Sequence, residues 1–301
     1  MRRLSALLVA VVACTLTACG PSDAPPTIVV TSTEFVSPTP SHAPHTAQSP
    51  APAPKPEPSP SPAETPGVSA ASDAQSLVDG AVQAASALGN AGVAANGAEG
   101  IVAAGFQEKS PAWSTIKVPI AIAALRADQS VAADATAAIT YSDNEAAQRL
   151  YSVAGEQGTN AILSEAGVAA QVNTAQIRPE FSTFGQTALS VTDQALMANA
   201  LACVSGAGQV IQLMGQIDPG QSYGLGAVNG MFKGGWGPDT GGMYHVRQFG
   251  WIPRSDGTYA PVALTALPAD GTYETGQQML TTMAQSLSAH ADVLTPARCQ
   301  P

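Results

Sequence analysis

A serine and a lysine stand three residues apart at the start of a strongly apolar run. Ser114 and Lys117 lie in the segment AWSTIK, and the apolar run continues over residues 118–125. At a helix start they would share one face, and the free N–H groups there favour an oxyanion. A half-buried lysine can lose its proton and act as a base toward the serine hydroxyl. The pattern predicts a nucleophile and its base, although alone it also fits an N-capping serine beside an exposed lysine.

A second segment carries residue types that suit the same chemistry. Ser142, Asp143 and Asn144 stand at the start of a predicted helix. The Ser142 hydroxyl can relay a proton to a leaving nitrogen, and the Asn144 amide can bridge the lysine and a substrate carbonyl. Because Ser, Asp and Asn are also the preferred helix N-caps, a capping role and a chemical role are compatible here.

The third segment is Lys233-Gly234-Gly235-Trp236, at the end of a predicted strand. A lysine there would attract a substrate carboxylate, and the small residues let a peptide-like substrate lie along the strand edge. The N–H groups of Trp236 and Ser114 could together form an oxyanion hole. A glycine-rich hairpin with an exposed lysine is the alternative. Lysine usage favours chemistry, because the chain has only four lysines and two of them lie in these motifs.

The elements that must position these residues are predicted from hydrophobic periodicity. Helices are expected over about 73–88, 114–128, 143–153, 159–166, 190–201, 209–214 and 273–287. Strands are expected within 92–95, 101–104, 227–233, 244–252 and 259–267, with turns at Asn96-Gly97 and Asp256-Gly257. Residues 167–188 lack periodicity and suggest a long ordered loop. This order predicts an α+β fold with α/β/α layers, in which terminal helices flank an antiparallel sheet beside a reduced helical subdomain.

The N-terminal quarter has a different composition. A basic start, an apolar run over 7–12 and small residues up to Cys19 predict a secretory signal over 1–18. The stretch LTACG around Cys19 resembles the lipobox of bacterial lipoproteins, in which that cysteine carries the lipid; an ordinary signal peptide is the alternative. The apolar run is too short to span a bilayer. Residues 19–72, rich in Pro, Ser, Ala and Thr, predict a disordered tether. We therefore expect an exported domain, 73–301, anchored to the outer face of the cell membrane.

The net charge and the cysteines of the chain bear on its binding partners, its cofactors and its disulfides. The chain of 301 residues has a formal net charge of −10, and without a basic patch we expect no nucleic-acid partner. No cluster has metal-ligand spacing, so no metal or other cofactor is expected. Of the four cysteines, Cys14 lies in the signal and Cys19 in the lipobox, which leaves Cys203 and Cys299. In an exported domain they predict a disulfide that holds the C-terminal tail, with two buried free thiols as the alternative.

In this order, and on these elements, Ser-x-x-Lys, Ser-Asp-Asn and Lys-x-Gly resemble the motifs of the penicillin-recognising serine enzymes. The chain looks most like class A β-lactamases and the β-lactamase-like lipoproteins of actinobacteria, over about residues 73–290. The resemblance implies that Ser114 is the acylated nucleophile and Lys117 its base partner. It further implies that Ser142 shuttles a proton, Asn144 contacts the substrate and Lys233 holds the substrate carboxylate.

Two further residues are candidates. Glu180, in Arg178-Pro179-Glu180, resembles the glutamate of the class A Ω-loop that activates the deacylating water; a surface ion pair is the alternative. Arg247, on the strand after the glycine-rich turn, could supplement Lys233 as a carboxylate anchor, or could be an edge-strand charge.

Three departures from the family pattern matter. The segment between Lys117 and Ser142 is short, so part of the helical subdomain is missing. Gly234 replaces a threonine or serine whose hydrogen bond to a substrate carboxylate would contribute about 1.5–3 kcal/mol. Phe184 stands where an asparagine usually holds the deacylating water. We expect acylation to be preserved and hydrolytic turnover to be impaired.

The expected function is thus that of a monomeric, lipid-anchored serine hydrolase of the cell envelope. It would form an acyl-enzyme with β-lactams or with D-alanyl peptides of peptidoglycan. The alternative is a catalytically impaired protein of the same fold that binds an envelope ligand.

Overall fold

The computed structural model describes the backbone of residues 66–301 and the side chains of residues 73–301. The predicted signal over 1–18, the predicted lipidation site Cys19 and the predicted tether up to residue 65 lie outside the described residues. In the part of the chain that is described, no helix is both long and apolar enough to cross a bilayer.

Along the described residues a helix and a hairpin come first, most of the other helices follow, and three long strands and a final helix come last. The α-helices are α1 (Pro66–Ala85), α2 (Lys117–Ala127), α3 (Ala132–Thr140), α4 (Asn144–Glu165), α5 (Val191–Leu201), α6 (Gly208–Met214) and α7 (Tyr273–Ser288). The strands are β1 (Gly89–Gly97), β2 (Gly100–Gly105), β3 (Ser110–Pro111), β4 (Ala188–Leu189), β5 (Met231–Pro238), β6 (Tyr244–Pro253) and β7 (Tyr259–Pro268). Short 3-10 helices cover Ser86–Leu88, Trp113–Ile116, Gln129–Val131, Phe184–Gln186, Pro219–Gln221, Gly224–Val228 and Ala291–Val293.

The main sheet has five strands in the order β2-β1-β7-β6-β5, and every neighbouring pair is antiparallel. Short turns join β1 to β2, β5 to β6 and β6 to β7, as antiparallel neighbours allow. Strand β1 pairs with β2 on one side and with β7 on the other, and so joins the first hairpin to the last three strands. This arrangement leaves β5, which carries Lys233, at one edge.

The sheet separates two apolar cores. Alternate residues of a strand point to opposite faces, so Val93 and Val262 pack with α1 and α7 while Ala94 and Ala263 face the helical subdomain. The capping box of α5, in which Ser190 and Asp193 satisfy each other's backbone N–H groups, matches the predicted helix start. Terminal helices on one face, and α2 with its neighbours on the other, confirm the predicted α+β architecture.

Several predicted boundaries are wrong. Helix α1 begins at Pro66, inside the predicted tether, and proline suits a first helical turn. The first hairpin turns after Gly97 rather than at Asn96-Gly97, because β1 continues to Gly97, which pairs with Gly100.

Other differences lie beside the site. Helix α3 was not predicted, because its small apolar residues give little hydrophobic contrast. The helices expected over 143–153 and 159–166 are one element, α4, interrupted at Gly155, where φ is 63°. Strand β5 begins at Met231 rather than 227, because Gly224–Val228 is a 3-10 helix that ends at Asn229 in the left-handed conformation.

The predicted disulfide between Cys203 and Cys299 is present. It joins the end of α5 to the C-terminal tail, where the backbone N–H of Ala297 also donates to Tyr259 O at 2.9 Å. The tail is therefore fixed to the helical subdomain and to β7 at once.

Replacing both cysteines by serine is expected to lower the free energy of unfolding. The bridge spans 96 residues of sequence, and closing a loop of that length stabilises a fold by about 4 kcal/mol in the chain-entropy model. Urea unfolding of the double variant and of the oxidised wild type measures the difference. Wild type under reductant is the matched control, and equal midpoints in all three samples would contradict the prediction.

Candidate active site

Ser114 lies on a tight turn and not on the first turn of the α-helix as predicted. Residues Trp113–Ile116 form a 3-10 helix, and α2 begins only at Lys117. Trp113 has a φ of 51°, a left-handed conformation that is uncommon for a bulky residue. The Thr115 hydroxyl donates to Ala112 O at 2.5 Å and closes the turn. The turn presents the Ser114 side chain to a cavity.

Lys117 is almost completely buried. Its Nζ donates to Ser142 O at 2.5 Å and to Asn144 Oδ1 at 2.7 Å. Burial lowers the pKa of Lys117 to about 7, while the charge of Asp143 acts in the opposite direction. Near neutral pH a substantial fraction of this lysine is therefore uncharged and able to accept a proton.

Ser142 lies between two lysines. Its backbone is left-handed, with φ at 60°, and the carbonyl meets Lys117 while the hydroxyl accepts a 3.0 Å hydrogen bond from Lys233 Nζ. Asp143 caps α4 by accepting from Ala146 N at 2.7 Å. Asp143 thus caps the helix, and its two neighbours, Ser142 and Asn144, contact the lysines.

Lys233 is fully buried on β5. Its Nζ donates to Ser142 Oγ and to Gly234 O, each at 3.0 Å. Burial, and then the nearby charge of Lys117, hold the pKa of Lys233 well below its ordinary value. The ammonium is turned toward Ser142 and does not line the cavity.

One cavity of about 770 Å³ joins most of the predicted residues. The predicted site residues on its wall are Ser114, Lys117, Ser142, Asn144, Glu180 and Trp236. These come from the Ser114 turn with the start of α2, the start of α4, the 167–188 loop and β5, so four separate parts of the chain build the cavity. Lys233, Gly235 and Arg247 do not lie on its wall.

Gly235 lies behind the wall, against the nucleophile turn. A Cβ atom placed on Gly235 would lie 2.8 Å from Ser114 N and 3.0 Å from Thr115 N. Only glycine permits this approach, because real Cβ atoms do not come so close to backbone. Gly235 therefore brings β5 and the turn of Ser114 together.

Arg247 is not where a carboxylate anchor would be. The side chain is 1% exposed, and its guanidinium donates to Gln194 Oε1 at 2.9 Å, to Pro111 O at 2.9 Å and to Leu189 O at 3.0 Å. Because all three nitrogens are bound within the protein, the expectation that Arg247 binds substrate is wrong.

Glu180 lies on the cavity rim and is bound to Arg178. Arg178 Nη2 and Nε contact Glu180 Oε1 at 2.8 and 3.0 Å, and the glutamate side chain is 55% exposed. A hydrogen bond from its own backbone N–H, together with Arg178, lowers the pKa of Glu180. The carboxylate whose charge acts on Lys117 is that of Asp143. Glu180 thus lines the cavity and forms the ion pair that was its alternative interpretation.

Aromatic side chains form two walls, and apart from Trp236, which was predicted for its backbone N–H, sequence reasoning missed them. The Trp113 ring meets the edge of Phe181 at a centroid distance of 5.1 Å, and Arg178 stacks on Phe181 at 4.5 Å. At the other wall Trp236 and Tyr244 lie 5.2 and 5.6 Å from Tyr273. The sequence could have indicated these aromatic walls, because two of the three tryptophans in the chain, Trp113 and Trp236, lie beside the motifs.

The Trp236 ring also covers Gly234. A Cβ atom on Gly234 would lie 3.8 Å from that ring and 3.7 Å from the Tyr223 hydroxyl, which is ordinary contact. The hydroxyl-bearing residue usual in the family would therefore fit at this position. Gly234 therefore lacks the side-chain hydroxyl that the resemblance assigns to this position.

Phe184 belongs to the 167–188 loop, on the 3-10 helix Phe184–Gln186, and is buried. It is 2% exposed, lies on the cavity wall and packs on Tyr151 at a centroid distance of 5.1 Å. A phenyl ring offers no hydrogen bond to water. The place that the resemblance assigns to a water-holding asparagine is apolar in this chain.

Comparisons with known proteins bear on the fold. No protein-family model matches the chain, and no curated protein matches it by sequence. Among solved structures, the class A β-lactamase from Mycobacterium abscessus superposes with a TM-score of 0.58 at 15% identity, over 72% of this chain and 99% of that chain. The β-lactamase from Chitinophaga pinensis DSM 2588 gives 0.62 at 13% identity, over 72% and 99%.

A third similar structure is the β-lactamase from Sphaerobacter thermophilus DSM 20745, with a TM-score of 0.56 at 19% identity, over 73% of this chain and 99% of that chain. Nearly the whole length of each neighbour is matched. The predicted resemblance to class A β-lactamases is confirmed at the level of the fold.

The reactivity of Ser114 is expected to rise with pH through about 7. Burial lowers the pKa of Lys117 to about 7, so raising the pH removes its proton and supplies a base beside the serine. The rate of Ser114 modification by an uncharged sulfonyl fluoride is followed by mass spectrometry from pH 5 to 9. We expect the midpoint of the pH–rate profile to lie within about one pH unit of the Lys117 pKa. Lys117→Arg, which stays protonated, is expected to react slowly at every pH. A flat profile in the wild type would show that Lys117 is not the base.

Proposed function

We propose that this chain is a monomeric serine hydrolase of the cell envelope that forms an acyl-enzyme with β-lactams or with D-alanyl peptides of peptidoglycan. One observation carries the proposal: Ser114, Lys117, Ser142 and Asn144 share one cavity of a β-lactamase fold. A lysine with a pKa of about 7 beside a serine on a tight turn is suited to nucleophilic catalysis.

The shared cavity supports the following acylation step. Uncharged Lys117 takes the proton of the Ser114 hydroxyl, and Ser114 Oγ forms a bond to the substrate carbonyl carbon. The N–H groups of Ser114 and Trp236 stabilise the oxyanion. When the carbonyl–nitrogen bond breaks, Ser142 gives its proton to the leaving nitrogen. The proton that Lys117 took from Ser114 then returns to the Ser142 hydroxyl by way of Lys233, because Lys117 contacts the Ser142 carbonyl and Lys233 contacts its hydroxyl.

Deacylation has weaker support in the same cavity. A water that attacks the acyl-enzyme needs a base and polar groups to hold it. Glu180 is held by Arg178 at 2.8 Å, its pKa is lowered, and Phe184 offers no polar atom. We therefore propose slow hydrolysis and a long-lived acyl-enzyme, which is closer to a penicillin-binding protein than to an efficient β-lactamase.

A second candidate function is a non-catalytic envelope protein that binds a ligand in the same cavity. The burial of Lys233 favours it, because the amine that would hold a substrate carboxylate is 0% exposed and does not line the cavity. In that case the aromatic walls of the cavity bind the ligand and Ser114 is dispensable.

Incubation with a fluorescent penicillin distinguishes the two functions. We expect a stoichiometric adduct on Ser114, identified by peptide mass spectrometry, that persists long after free penicillin is removed. Acylation needs only the serine and its base partner. Release needs a second base, and Glu180, the candidate for that role, is paired with Arg178.

Ser114→Ala is expected to abolish the adduct, and Ser130→Ala, at an exposed serine beyond the C-terminal end of α2, serves as the matched control. Rapid turnover would contradict the slow release. If no adduct forms but both Ser114→Ala and wild type bind penicillin equally well, the binding function is supported and the enzymatic one fails.

We also propose that Cys19 is lipidated and holds the domain at the outer face of the cell membrane, through the Pro-rich tether. The support is the LTACG sequence after a basic and apolar start. One acyl chain binds a membrane only marginally, so stable anchoring requires more than one.

Cys19→Ala is expected to move the protein from the membrane fraction to the soluble fraction of an expressing bacterium and to abolish incorporation of an alkyne-tagged fatty acid. Cys14→Ala is the matched control, because that residue lies within the predicted signal and should leave both readouts unchanged. Retention of the fatty acid by Cys19→Ala would contradict the assignment.

A further inference from the structure

A buried chain of hydrogen bonds runs from strand β6 to the turn that carries Ser114. Arg247 Nε donates to Gln194 Oε1 at 2.9 Å, and Gln194 Nε2 donates to Thr115 Oγ1 at 2.7 Å. The Thr115 hydroxyl in turn donates to Ala112 O at 2.5 Å. Arg247, Gln194 and Thr115 are each at most 1% exposed. The chain therefore ends on the residue next to the proposed nucleophile.

The other nitrogens of Arg247 hold the segment that leads into this turn. Nη1 donates to Ser110 O at 3.1 Å and to Pro111 O at 2.9 Å, and Nη2 donates to Leu189 O at 3.0 Å. These acceptors lie on β3 and β4, the two short strands that pair just before the turn. A single guanidinium thus contacts the approach to the turn directly and the turn itself through Gln194.

Arg247 occupies this position without an anionic partner. Among the residues whose side chains are described, no carboxylate forms a salt bridge with it. Burial lowers the pKa of Arg247 to about 9, against the more distant charge of Asp193, so the group is still a cation at neutral pH. A buried cation is costly unless its donors are satisfied. Here, backbone carbonyls around the turn supply that compensation.

The same contacts control how the turn meets β5. Arg247 pairs with Gly235 across the β5–β6 ladder, and a Cβ atom on Gly235 would lie 2.8 Å from Ser114 N. The turn therefore contacts Gly235 through Ser114 and Gln194 through its own residue Thr115. The two N–H groups of the proposed oxyanion hole come from the turn and from β5, so their relative placement depends on these two contacts.

We propose that Arg247 and Gln194 are positioning residues for acylation. Acting through Thr115, they hold the Ser114 turn against β5, so that the N–H groups of Ser114 and Trp236 face one point. This inference rests on the proposed function, because it concerns the geometry of that same site.

Gln194→Glu is the decisive variant, because it separates positioning from stability. A glutamate still accepts from Arg247 and supplies the missing negative charge, so the fold should be as stable as the wild type or more stable. An ionised carboxylate cannot donate to Thr115 Oγ1, and the Thr115 hydroxyl is drawn away from Ala112 O. Misplacing or losing an oxyanion donor slows acyl transfer by at least about tenfold.

Stopped-flow acylation by a fluorescent penicillin separates the dissociation constant of the initial complex from the acylation rate constant. We expect Gln194→Glu and Thr115→Val to lower the rate constant about tenfold or more with little change in the dissociation constant. Trp251→Phe is the matched control. It removes another buried bond of β6, from Trp251 Nε1 to Ala198 O at 3.0 Å, and should lower the melting temperature without changing the acylation rate constant.

Wild-type acylation by Gln194→Glu would overturn the inference, as would an equal slowing in Trp251→Phe. If the wild type itself forms no adduct, the proposed function fails, and hydrogen exchange of a peptide spanning 112–118 decides the positioning role alone. Faster exchange there in Gln194→Glu than in wild type and Trp251→Phe would support it, and equal exchange in all three would overturn it.

Discussion

The site depends on two buried lysines that converge on Ser142. Lys117 Nζ lies 2.5 Å from the Ser142 carbonyl oxygen and Lys233 Nζ lies 3.0 Å from its hydroxyl. Burial lowers the pKa of both lysines, and the nearby charge of Lys117 lowers that of Lys233 further. A proton acceptor at neutral pH is therefore a property of the packing. The left-handed backbone of Ser142, held by the Asp143 cap of α4, gives each lysine its own oxygen.

The two halves of an acyl-transfer cycle are built on different kinds of structure. The groups suited to acylation lie on the 3-10 turn of Ser114, the start of α2, the start of α4 and β5, and are held by core packing and by buried hydrogen bonds. Glu180, the candidate for deacylation, lies on a loop, is 55% exposed and is paired with Arg178. Neighbouring side chains hold a core side chain in one orientation, whereas the exposed Glu180 carboxylate is oriented by its ion pair with Arg178. This difference supports an acyl-enzyme that forms more readily than it is released.

Much of the fold was predictable from local signals. The strands over 244–252 and 259–267, the capping box at Ser190 and the terminal helix match the structure closely, because alternation and capping are local properties. Helix α3 was missed because alanines carry no strong pattern, and the start of β5 was misplaced because a left-handed Asn229 ends a 3-10 helix there. Such boundaries depend on backbone conformation that neighbouring elements impose.

The sequence by itself determined which reactive residue types occur and in what order, and it predicted the pairing of Cys203 with Cys299 that the structure confirms. Only the tertiary structure decided what those residues touch. It buried Arg247 among backbone carbonyls instead of exposing it to substrate, and it turned Glu180 toward Arg178. It also brought Lys233 to Ser142 across 91 residues of chain. The physical reason is that burial, distance and charge state arise from contacts between elements far apart in sequence, and no local pattern encodes them.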